Sequence, residues 1–464
     1  MKAWEKAYHL MQNAEPVVLD EEEQTWTFFN EVEAFHDTFL KVMWHSNVPG
    51  SGAPEMLMVG AVQSMHNMGF ETAHLEPLLE EGEQAFQRGD MQHLQRITAR
   101  LFRELDRLPR NEQSPYWQFK AYTDWEAYER QVRFPSSAPV DVTGDDFAAR
   151  ILAGWTAQIV GGALGTALEG YTSQKLRKTF GEIRGYVRKP NTYNDDITFE
   201  IAFLNAFDKH GYGVTSGDIA EEWVALVPSG WSAEEIALKN IRIGVYPPES
   251  GTFRNPFREW IGAQMRGAVC GMVAPGDPKR AAELAWKDAV VSHSNNGVLG
   301  EIFNAVLASL AFTERDIRAV IRKAVDLIPA DSEYYDFVST ALAWCGEHDD
   351  WRKTWERCEM KCREYNWVHA YPNAMAEVVA LWYGNGDFDE TMHIIAMAGQ
   401  DVDCNAAQIG CVLGIMHGPA AIDRKWTDPI GDQLDTYLRG MKKMSIRGLA
   451  DWTVAAVRKH WTDK

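Results

Sequence analysis

The spacing of apolar residues after Asp145 is the feature that most constrains how this chain can fold. Apolar side chains recur at steps of three and four through almost the whole stretch, and no run of strict alternation interrupts them. This pattern is typical of helices that bury one face, and it disfavours an enzyme built on alternating strands and helices. We therefore predict an all-α fold, without the fixed-period repeat of a helical solenoid. The predicted helices lie near residues 148–170, 195–209, 216–227, 232–243, 258–273, 278–312, 314–328, 333–346, 351–365, 373–383, 387–399 and 404–417.

Residues 1–140 form an accessory helical region in this prediction, ahead of a main domain at 141–464. Asp90 is placed to cap an amphipathic helix that ends at Pro109, because leucine and isoleucine residues follow it at helical spacing. Prolines and serines within residues 134–139 oppose regular structure and predict a linker. A cluster of aromatic residues precedes this linker, and such clusters pack against a main domain more often than they stack on a base or sugar. Its members are Tyr116, Trp117, Phe119, Tyr122, Trp125 and Tyr128.

The charge of the chain restricts its partners. It has 46 Lys and Arg residues against 66 Asp and Glu residues, a formal charge of −20, which argues against a nucleic acid polymer as the main partner. A small anionic substrate stays possible if bound metal ions supply positive charge locally.

Three features bear on the location of the protein. The charged start at Met1–Lys6 has no apolar signal-peptide core, so we expect a cytoplasmic protein. The stretch Ile151–Leu168 carries no charge over a length that could cross a membrane, but its glycines and polar residues favour a buried core helix and no membrane partner. Six scattered cysteines are expected to be reduced, structural thiols.

Two acidic pairs, far apart in the chain, are the strongest candidates for chemistry. Asp401 and Asp403 precede an apolar, small-residue-rich stretch, so we expect a short extended segment in which both side chains point the same way, followed by a buried helix. Carboxylates that share a pocket repel unless a proton or a cation intervenes. Oxygen ligands favour Mg²⁺, Ca²⁺ or Mn²⁺ over zinc. We predict that the second pair, Asp195 and Asp196, meets the first at one site that holds two metal ions.

Four stretches between residues 148 and 418 occur together in an order that points to one enzyme family. They are the glycine-rich Gly161–Glu169, the acidic Asn194–Thr198, the loop Gly262–Gly267 followed by Ala281–Ala285 and Ser292–Gly297, and the acidic Gln400–Gly414. Together they resemble the ADP-ribosylglycohydrolase family, which includes the dinitrogenase reductase-activating glycohydrolases. The resemblance implies an orthogonal bundle of helices, here with an N-terminal helical extension.

The resemblance also implies a metal site. Its ligands would be Asn194, Asp195, Asp196, Asp401, Asp403 and Cys404, and its cofactor Mg²⁺, as two ions, with Mn²⁺ or Ca²⁺ possible. Asn194 stands where family members have threonine, and its amide oxygen can still bind a hard cation. Cys404 also replaces a threonine, and sulfur is a poor ligand for such an ion. Cys404 is therefore either a bystander or a substitution that tunes the site.

The reaction implied by the resemblance is hydrolysis of an N- or O-linked bond at the anomeric carbon of a ribose. Glu169 would handle a proton or hold the substrate's hydroxyl groups, and Asp196 or Asp403 would activate the water. The implied substrate contacts are Gly262, Arg266, His293 and Asn295. His293 could equally be a structural cap.

The substrate itself stays open at this stage. Family members often carry an aspartate at the position of Gly162 and a Gly-Asn-Gly sequence where this chain has Trp260-Ile261-Gly262. The substrate is thus either an ADP-ribosyl-like group or a small nucleoside, riboside or other glycoside. A protein that binds a ribose-containing ligand without catalysis is the alternative from a different functional class.

Overall fold

The computed structural model describes residues 1–461, which form an assembly of helices joined by short turns. The α-helices are α1 (Ala3–Asn13), α2 (Phe28–Trp44), α3 (Leu57–Asn67), α4 (Glu76–Arg88), α5 (Met91–Leu105), α6 (Trp125–Glu129), α7 (Asp145–Gly165), α8 (Ser173–Phe180), α9 (Asp195–His210), α10 (Ser216–Leu226), α11 (Ser232–Arg242), α12 (Glu249–Thr252), α13 (Ala268–Val273), α14 (Pro278–Ala289), α15 (Asn296–Leu310), α16 (Ile317–Val325), α17 (Glu333–Glu347), α18 (Trp351–Lys361), α19 (Ala370–Gly384), α20 (Phe388–Ala398), α21 (Val402–His417), α22 (Arg424–Thr427) and α23 (Ile446–His460). Single turns of 3₁₀-helix lie at Ala73–Leu75, Pro115–Gln118, Gly211–Gly213, Gln264–Arg266 and Pro419–Ala421. The all-α prediction is confirmed.

The strands of the described chain form three short antiparallel pairs. They are β1 (Ser46–Asn47) with β2 (Pro54–Glu55), β3 (Tyr171–Thr172) with β4 (Gly399–Gln400), and β5 (Gln433–Asp435) with β6 (Lys443–Ser445). The second pair matters most for the site, because it ties the segment after α7 to the segment before α21. The Gly170 amide also donates to the Gln400 carbonyl at 2.9 Å. These bonds hold Glu169 and Asp401 in one neighbourhood.

Helices α7 and α21 pack against each other at the centre of the molecule. Their backbones approach so closely that a Cβ on Gly161 would lie 2.2 Å from the Ala406 carbonyl oxygen. A Cβ on Gly165 would lie 2.1 Å from the Asp403 amide nitrogen. Contacts this short leave no room for a side chain, so glycine is required at both positions. The glycine-rich helix thereby brings its carboxyl end directly against the start of α21.

Helix α7 is also the element that raised the question of a membrane span. It alone among the helices of residues 1–461 is long and apolar enough to cross a membrane, yet 78% of its most apolar window is buried inside the protein. Arg150, near its first turns, is buried and donates to the carbonyls of Ala311, Phe312 and Ile415. The helix therefore serves as a core element, as the sequence indicated.

Two predicted helices differ from the structure. Residues 258–273 contain turns, a 3₁₀ turn and the short α13 in place of one helix. The predicted helix 278–312 is divided into α14 and α15 by residues 290–295. Asn295 there has a φ of +50°, a left-handed conformation that an α-helix cannot continue through. Its side chain accepts a hydrogen bond from the Tyr122 amide at 2.9 Å, a long-range contact that favours the break.

The N-terminal region packs against the helical body. Asp90 caps α5 by accepting from the His93 amide at 3.0 Å, as predicted. Trp125 and Tyr128 contact Trp286 of α14, and the Tyr128 hydroxyl donates to the Leu327 carbonyl. The aromatic cluster thus contributes to packing. Residues 134–139 contain neither helix nor strand, and the division into two domains stays a prediction.

Candidate functional site

A cavity of about 930 Å³ lies where the N-terminal region meets the helical body. Seven of the residues that the sequence singled out line this cavity: Glu169, Asn194, Asp195, Gly262, Asp401, Asp403 and Cys404. The rest of its wall includes residues of the β1–β2 hairpin, the loop 228–232, and four aromatic side chains, Tyr193, Trp231, Trp367 and Tyr437. The cavity is large enough for a small-molecule ligand.

The two acidic pairs meet beside this cavity: Asp195, Asp401 and Asp403 line it, and the fully buried Asp196 contacts the lining residue Cys404. The Asn194 side-chain amide donates to Asp403 Oδ2 at 3.2 Å, and the Cys404 thiol donates to Asp196 Oδ1 at 3.2 Å. Potential ligand atoms of Asp401, Asp403 and Cys404 all lie within 4.8 Å of one another. Two segments some 200 residues apart in the chain therefore form one cluster of carboxyl groups.

The start of a helix positions each pair. Asn194 precedes α9 and accepts from the Asp196 amide at 2.7 Å, which places both aspartates in the first helical turn. Asp401 precedes α21, and its amide donates to the Asn373 side-chain oxygen at 3.0 Å. The positive end of each helix dipole faces the carboxyl groups and partly offsets their charge.

One detail of the predicted backbone is corrected here. Asp401 and Asp403 do not share an extended segment, because α21 begins at Val402 and Asp403 lies in its first turn. The Cys404 amide donates to the Asp403 side chain at 3.0 Å, a contact within that turn. The two carboxyl groups nevertheless reach the same cavity, since both residues line it together with Glu169.

Burial and mutual repulsion raise the pKa values of this carboxyl cluster. Burial, followed by repulsion from Asp403, raises the pKa of Asp195 to about 6 and that of Asp196 well above its ordinary value. The same two causes act on Asp401 and on Glu169, whose pKa values are also well above the usual range. Buried acids with raised pKa values are expected at a site that binds a cation.

The cluster fits a hard metal ion. Asp196 Oδ2 and Asp401 Oδ1 are buried and have no hydrogen-bond partner among residues 1–461, although buried carboxylate oxygens are normally satisfied. Aspartate oxygens are preferred ligands of Mg²⁺, Mn²⁺ and Ca²⁺. Cys404 suits such an ion less well, because burial and the neighbouring aspartates raise the pKa of its thiol well above the usual range. Asn194 joins the two pairs, with its oxygen capping α9 and its NH₂ group on Asp403.

Three residues expected to bind substrate lie elsewhere. Arg266 is fully buried and forms ion pairs with Glu234 at 3.2 Å and Asp288 at 2.5 Å, so its charge is already used. His293 is buried with its Nδ1 at 2.7 Å from the Ser292 hydroxyl, and burial lowers its pKa well below the usual range. These side chains and Asn295 do not line the cavity.

Asn295 has a structural role. Its amide donates to Glu259 at 2.8 Å and to the Tyr116 hydroxyl at 3.1 Å, while its oxygen holds the Tyr122 amide. It therefore connects the N-terminal region to the body. Of the expected substrate contacts, Gly262 alone lines the cavity.

The cavity also contains acids that the motifs did not identify. Glu55 of β2 and Glu234 of α11 both line it, and burial raises the pKa of each to about 7. The glycine- and proline-rich residues 47–54 indicate a turn before Glu55. Only the packing of this turn against Trp231 brings Glu55 to the site, since its carboxylate accepts from the indole nitrogen at 3.3 Å.

Comparisons with known proteins identify the family whose model this chain matches. Residues 143–463 match the model of the ADP-ribosylglycohydrolase family. An uncharacterized protein of Archaeoglobus fulgidus is 22% identical over 293 residues, which cover 59% of this chain and 89% of the relative. A solved ADP-ribosylglycohydrolase-related protein complex has an 18% identical chain with a TM-score of 0.49, covering 68% of this chain and 99% of its own. The family match includes both acidic pairs and begins after the β1–β2 hairpin.

Proposed function

Because the chain belongs to the ADP-ribosylglycohydrolase family, we propose that it is a metal-dependent hydrolase that cleaves an N- or O-glycosidic bond at the anomeric carbon of a ribosyl substrate. The observation that carries this proposal is the meeting of two distant acidic pairs in one cluster beside a cavity, with buried carboxylate oxygens left without partners among residues 1–461. A coarser assignment, to a family of glycohydrolases, follows from the match itself.

The proposed ligands of the metal are the four aspartates, Asp195, Asp196, Asp401 and Asp403. Their all-oxygen donor set supports Mg²⁺, with Mn²⁺ or Ca²⁺ as substitutes, and the presence of two pairs supports two ions. When bound, a divalent cation would polarise ribose hydroxyl groups and lower the pKa of a water molecule. The cavity beside these aspartates has room for the sugar.

The carboxyl groups of this chain carry out the proton transfers and stabilise the developing charge. Asp403 or Asp196 accepts a proton from the attacking water. Glu169 lines the same cavity, and burial and the neighbouring aspartates raise its pKa, which favours the protonated carboxyl group that can donate to the leaving group or to a ribose hydroxyl. Positive charge develops at the anomeric carbon as the bond breaks, and the surrounding carboxylates stabilise it.

We also propose a cytoplasmic location. The six cysteines are buried and free, which supports a reducing compartment.

A hydrolysis screen tests the proposed function. The full chain is incubated with ADP-ribose conjugates, nucleosides and ribosides, in Mg²⁺ or in EDTA, and released sugar is quantified by chromatography. We expect Mg²⁺-dependent release from at least one riboside, and its loss in Asp403→Asn with an unchanged circular dichroism spectrum. Absence of release from every riboside overturns the proposal. So does release that persists both in EDTA and in the variant.

A further inference from the structure

The cavity wall has an unusual charge composition for a site that would hold a diphosphate. Six carboxyl groups line it, and within residues 1–461 no lysine, arginine or histidine side chain does. The acids are Glu55, Glu169, Asp195, Glu234, Asp401 and Asp403. Proteins usually bind phosphate groups through arginine, lysine or a bound cation. Two divalent cations would only balance the four aspartates beside Glu169, so they would leave no excess positive charge for a diphosphate.

Two nearby arginines do not change this composition. Arg266 is fully buried and paired with Glu234 and Asp288. Arg188 is exposed at the rim, where its guanidinium donates to the Gly50 carbonyl at 2.6 Å. A ligand buried in the cavity would therefore meet acids, aromatic rings and neutral polar side chains such as Asn191 and Ser229. Burying a diphosphate there without a basic partner would be costly.

The β1–β2 hairpin forms a fixed part of this wall. A Cβ on Gly50 would lie 2.5 Å from Thr166 at the end of α7, so the turn is in tight contact with the body. The Tyr171 hydroxyl donates to the Ser51 carbonyl at 3.1 Å and anchors the turn further. Residues 46–50 and Glu55 face the cavity from this hairpin. It lies outside the residues that match the family, so the family's substrate does not determine this wall.

Glu55 is the side chain of the hairpin best placed to contact a ligand and to determine specificity. The residue is 8% exposed, and one carboxylate oxygen accepts from the Trp231 indole at 3.3 Å. The other oxygen has no hydrogen-bond partner among residues 1–461. Trp231 lines the cavity beside it and offers an aromatic face. An acid beside an aromatic ring suits a flat heterocycle that carries a hydrogen-bond donor or a positive charge.

We propose that the substrate is a small riboside of an uncharged or cationic aromatic heterocycle without a diphosphate, and that Glu55 determines this specificity by contacting the heterocycle. This inference rests on the proposed function for the reaction it serves. Hydrolysis would form a bond between the water oxygen and C1′ and break the C1′–N bond. A cationic heterocycle leaves as the neutral base with the electron pair of that bond, a neutral one takes a proton from Glu169, and the proton of the water passes to a carboxylate and then to solvent.

Nicotinamide riboside and NAD⁺ provide a matched pair of probes. They share the scissile bond and the cationic ring, and differ in the adenosine diphosphate portion. Binding is measured by calorimetry in Mg²⁺ with full-length Glu169→Gln, in which turnover is blocked and the four aspartates are kept. We expect nicotinamide riboside to bind at least tenfold more tightly than NAD⁺.

The substitution Glu55→Gln in that background tests the role of Glu55, and Glu71→Gln, at an exposed position of the same region, is the control. The amide oxygen introduced by Glu55→Gln can still accept from Trp231, so the hairpin should be retained, and thermal melting checks this. We expect Glu55→Gln to weaken nicotinamide riboside binding about tenfold, and Glu71→Gln to leave it unchanged. In the enzyme with Glu169 intact, Glu55→Gln should raise KM more than it lowers kcat.

The outcomes separate this inference from the proposed function. Equal or tighter binding of NAD⁺, no binding of nicotinamide riboside, or unchanged binding in Glu55→Gln each overturns the inference, even if some other riboside is hydrolysed. A selective binding that depends on Glu55, in a protein that hydrolyses nothing, supports the recognition and overturns the proposed catalysis.

Discussion

Two groups of buried acids in this molecule differ in how their charge is compensated. Around Arg266, three carboxyl groups lie within ion-pair distance of one guanidinium: Glu234, Asp288 and Glu301. Around Asp403, the acids face one another, and the polar side chains that join them are an amide and a thiol. The first group contains a cation of its own, Arg266. No basic side chain among residues 1–461 lines the cavity beside the second group, and we propose that this group takes a cation from outside. That is the difference between a structural ion pair and a binding site.

Glu234 connects the two groups. It pairs with Arg266 and also lines the cavity. A Cβ on Gly262 would lie 1.7 Å from its carboxylate, so glycine is required there to admit the Glu234 side chain. Residues of the structural network therefore shape one wall of the site, and Arg266 offsets part of their charge.

The largest expected effect comes from removing one charge from each group. Asp196→Asn should reduce turnover by about 10³-fold or more, because a metal ligand is lost, while the metal-free protein stays equally stable or becomes more stable as repulsion falls. Asp288→Asn, the matched change beside Arg266, should lower stability. Initial rates in Mg²⁺ and thermal melting in EDTA measure both effects. Comparable destabilisation by the two substitutions would remove the distinction between the groups.

Replacing Arg266, the cation of the first group, should have the next largest effect, on stability. Arg266→Met leaves three buried acids without their partner, and we expect a loss of about 3–5 kcal/mol in the free energy of unfolding. Arg100→Met, on the exposed face of α5, is the control and should change stability by less than about 0.5 kcal/mol. Urea titration followed by circular dichroism gives both values. A loss below about 1 kcal/mol for Arg266→Met would contradict this view of the network.

Glu377 is a third kind of buried acid, whose partners are amides, and it predicts how stability depends on pH. Glu377 accepts hydrogen bonds from the amides of Gln264 and Asn304, and burial raises its pKa from 4.5 to about 8. The folded protein therefore holds this proton more tightly than the unfolded chain does. The contribution of Glu377 to the free energy of unfolding is fully present below pH 4.5 and is lost as pH rises through about 8.

Glu377→Gln removes this titration and keeps an oxygen for both amides. Each pKa unit corresponds to about 1.4 kcal/mol, so the wild type should lose a few kcal/mol more than the variant between pH 5 and pH 8. Thermal melting of both proteins across that range measures the difference. Parallel curves for the two proteins would show that the Glu377 proton does not contribute.

The smallest expected effect concerns the thiol of Cys404, in the group of acids around Asp403. Cys404→Ser replaces sulfur by a harder oxygen next to Asp196, so Mg²⁺ should bind several-fold more tightly. Cys411→Ser, on the same helix and also buried, should leave Mg²⁺ affinity unchanged. Calorimetric titration with MgCl₂ measures the Mg²⁺ affinity of both variants. Equal affinities would show that Cys404 is a bystander.

Local spacing in the sequence determined the helical class and most helix positions, because the α-helical period is a property of neighbouring residues. The two acidic pairs could also be identified from the sequence, since a resemblance spanning four stretches placed them in one site. The extended geometry expected for Asp401 and Asp403 failed at a helix boundary, the kind of detail that capping contacts such as that of Asn373 decide.

Only the tertiary structure decided which polar residues serve the cavity. Arg266 and Asn295 look like ligand contacts in the sequence, yet their partners are Asp288 and Glu259, which local pattern cannot reveal. Glu55 reaches the cavity from a region outside the family match because the hairpin packs against α7 and Trp231. Burial and charge compensation depend on residues that are distant in the chain, and they take effect only when folding brings those residues together.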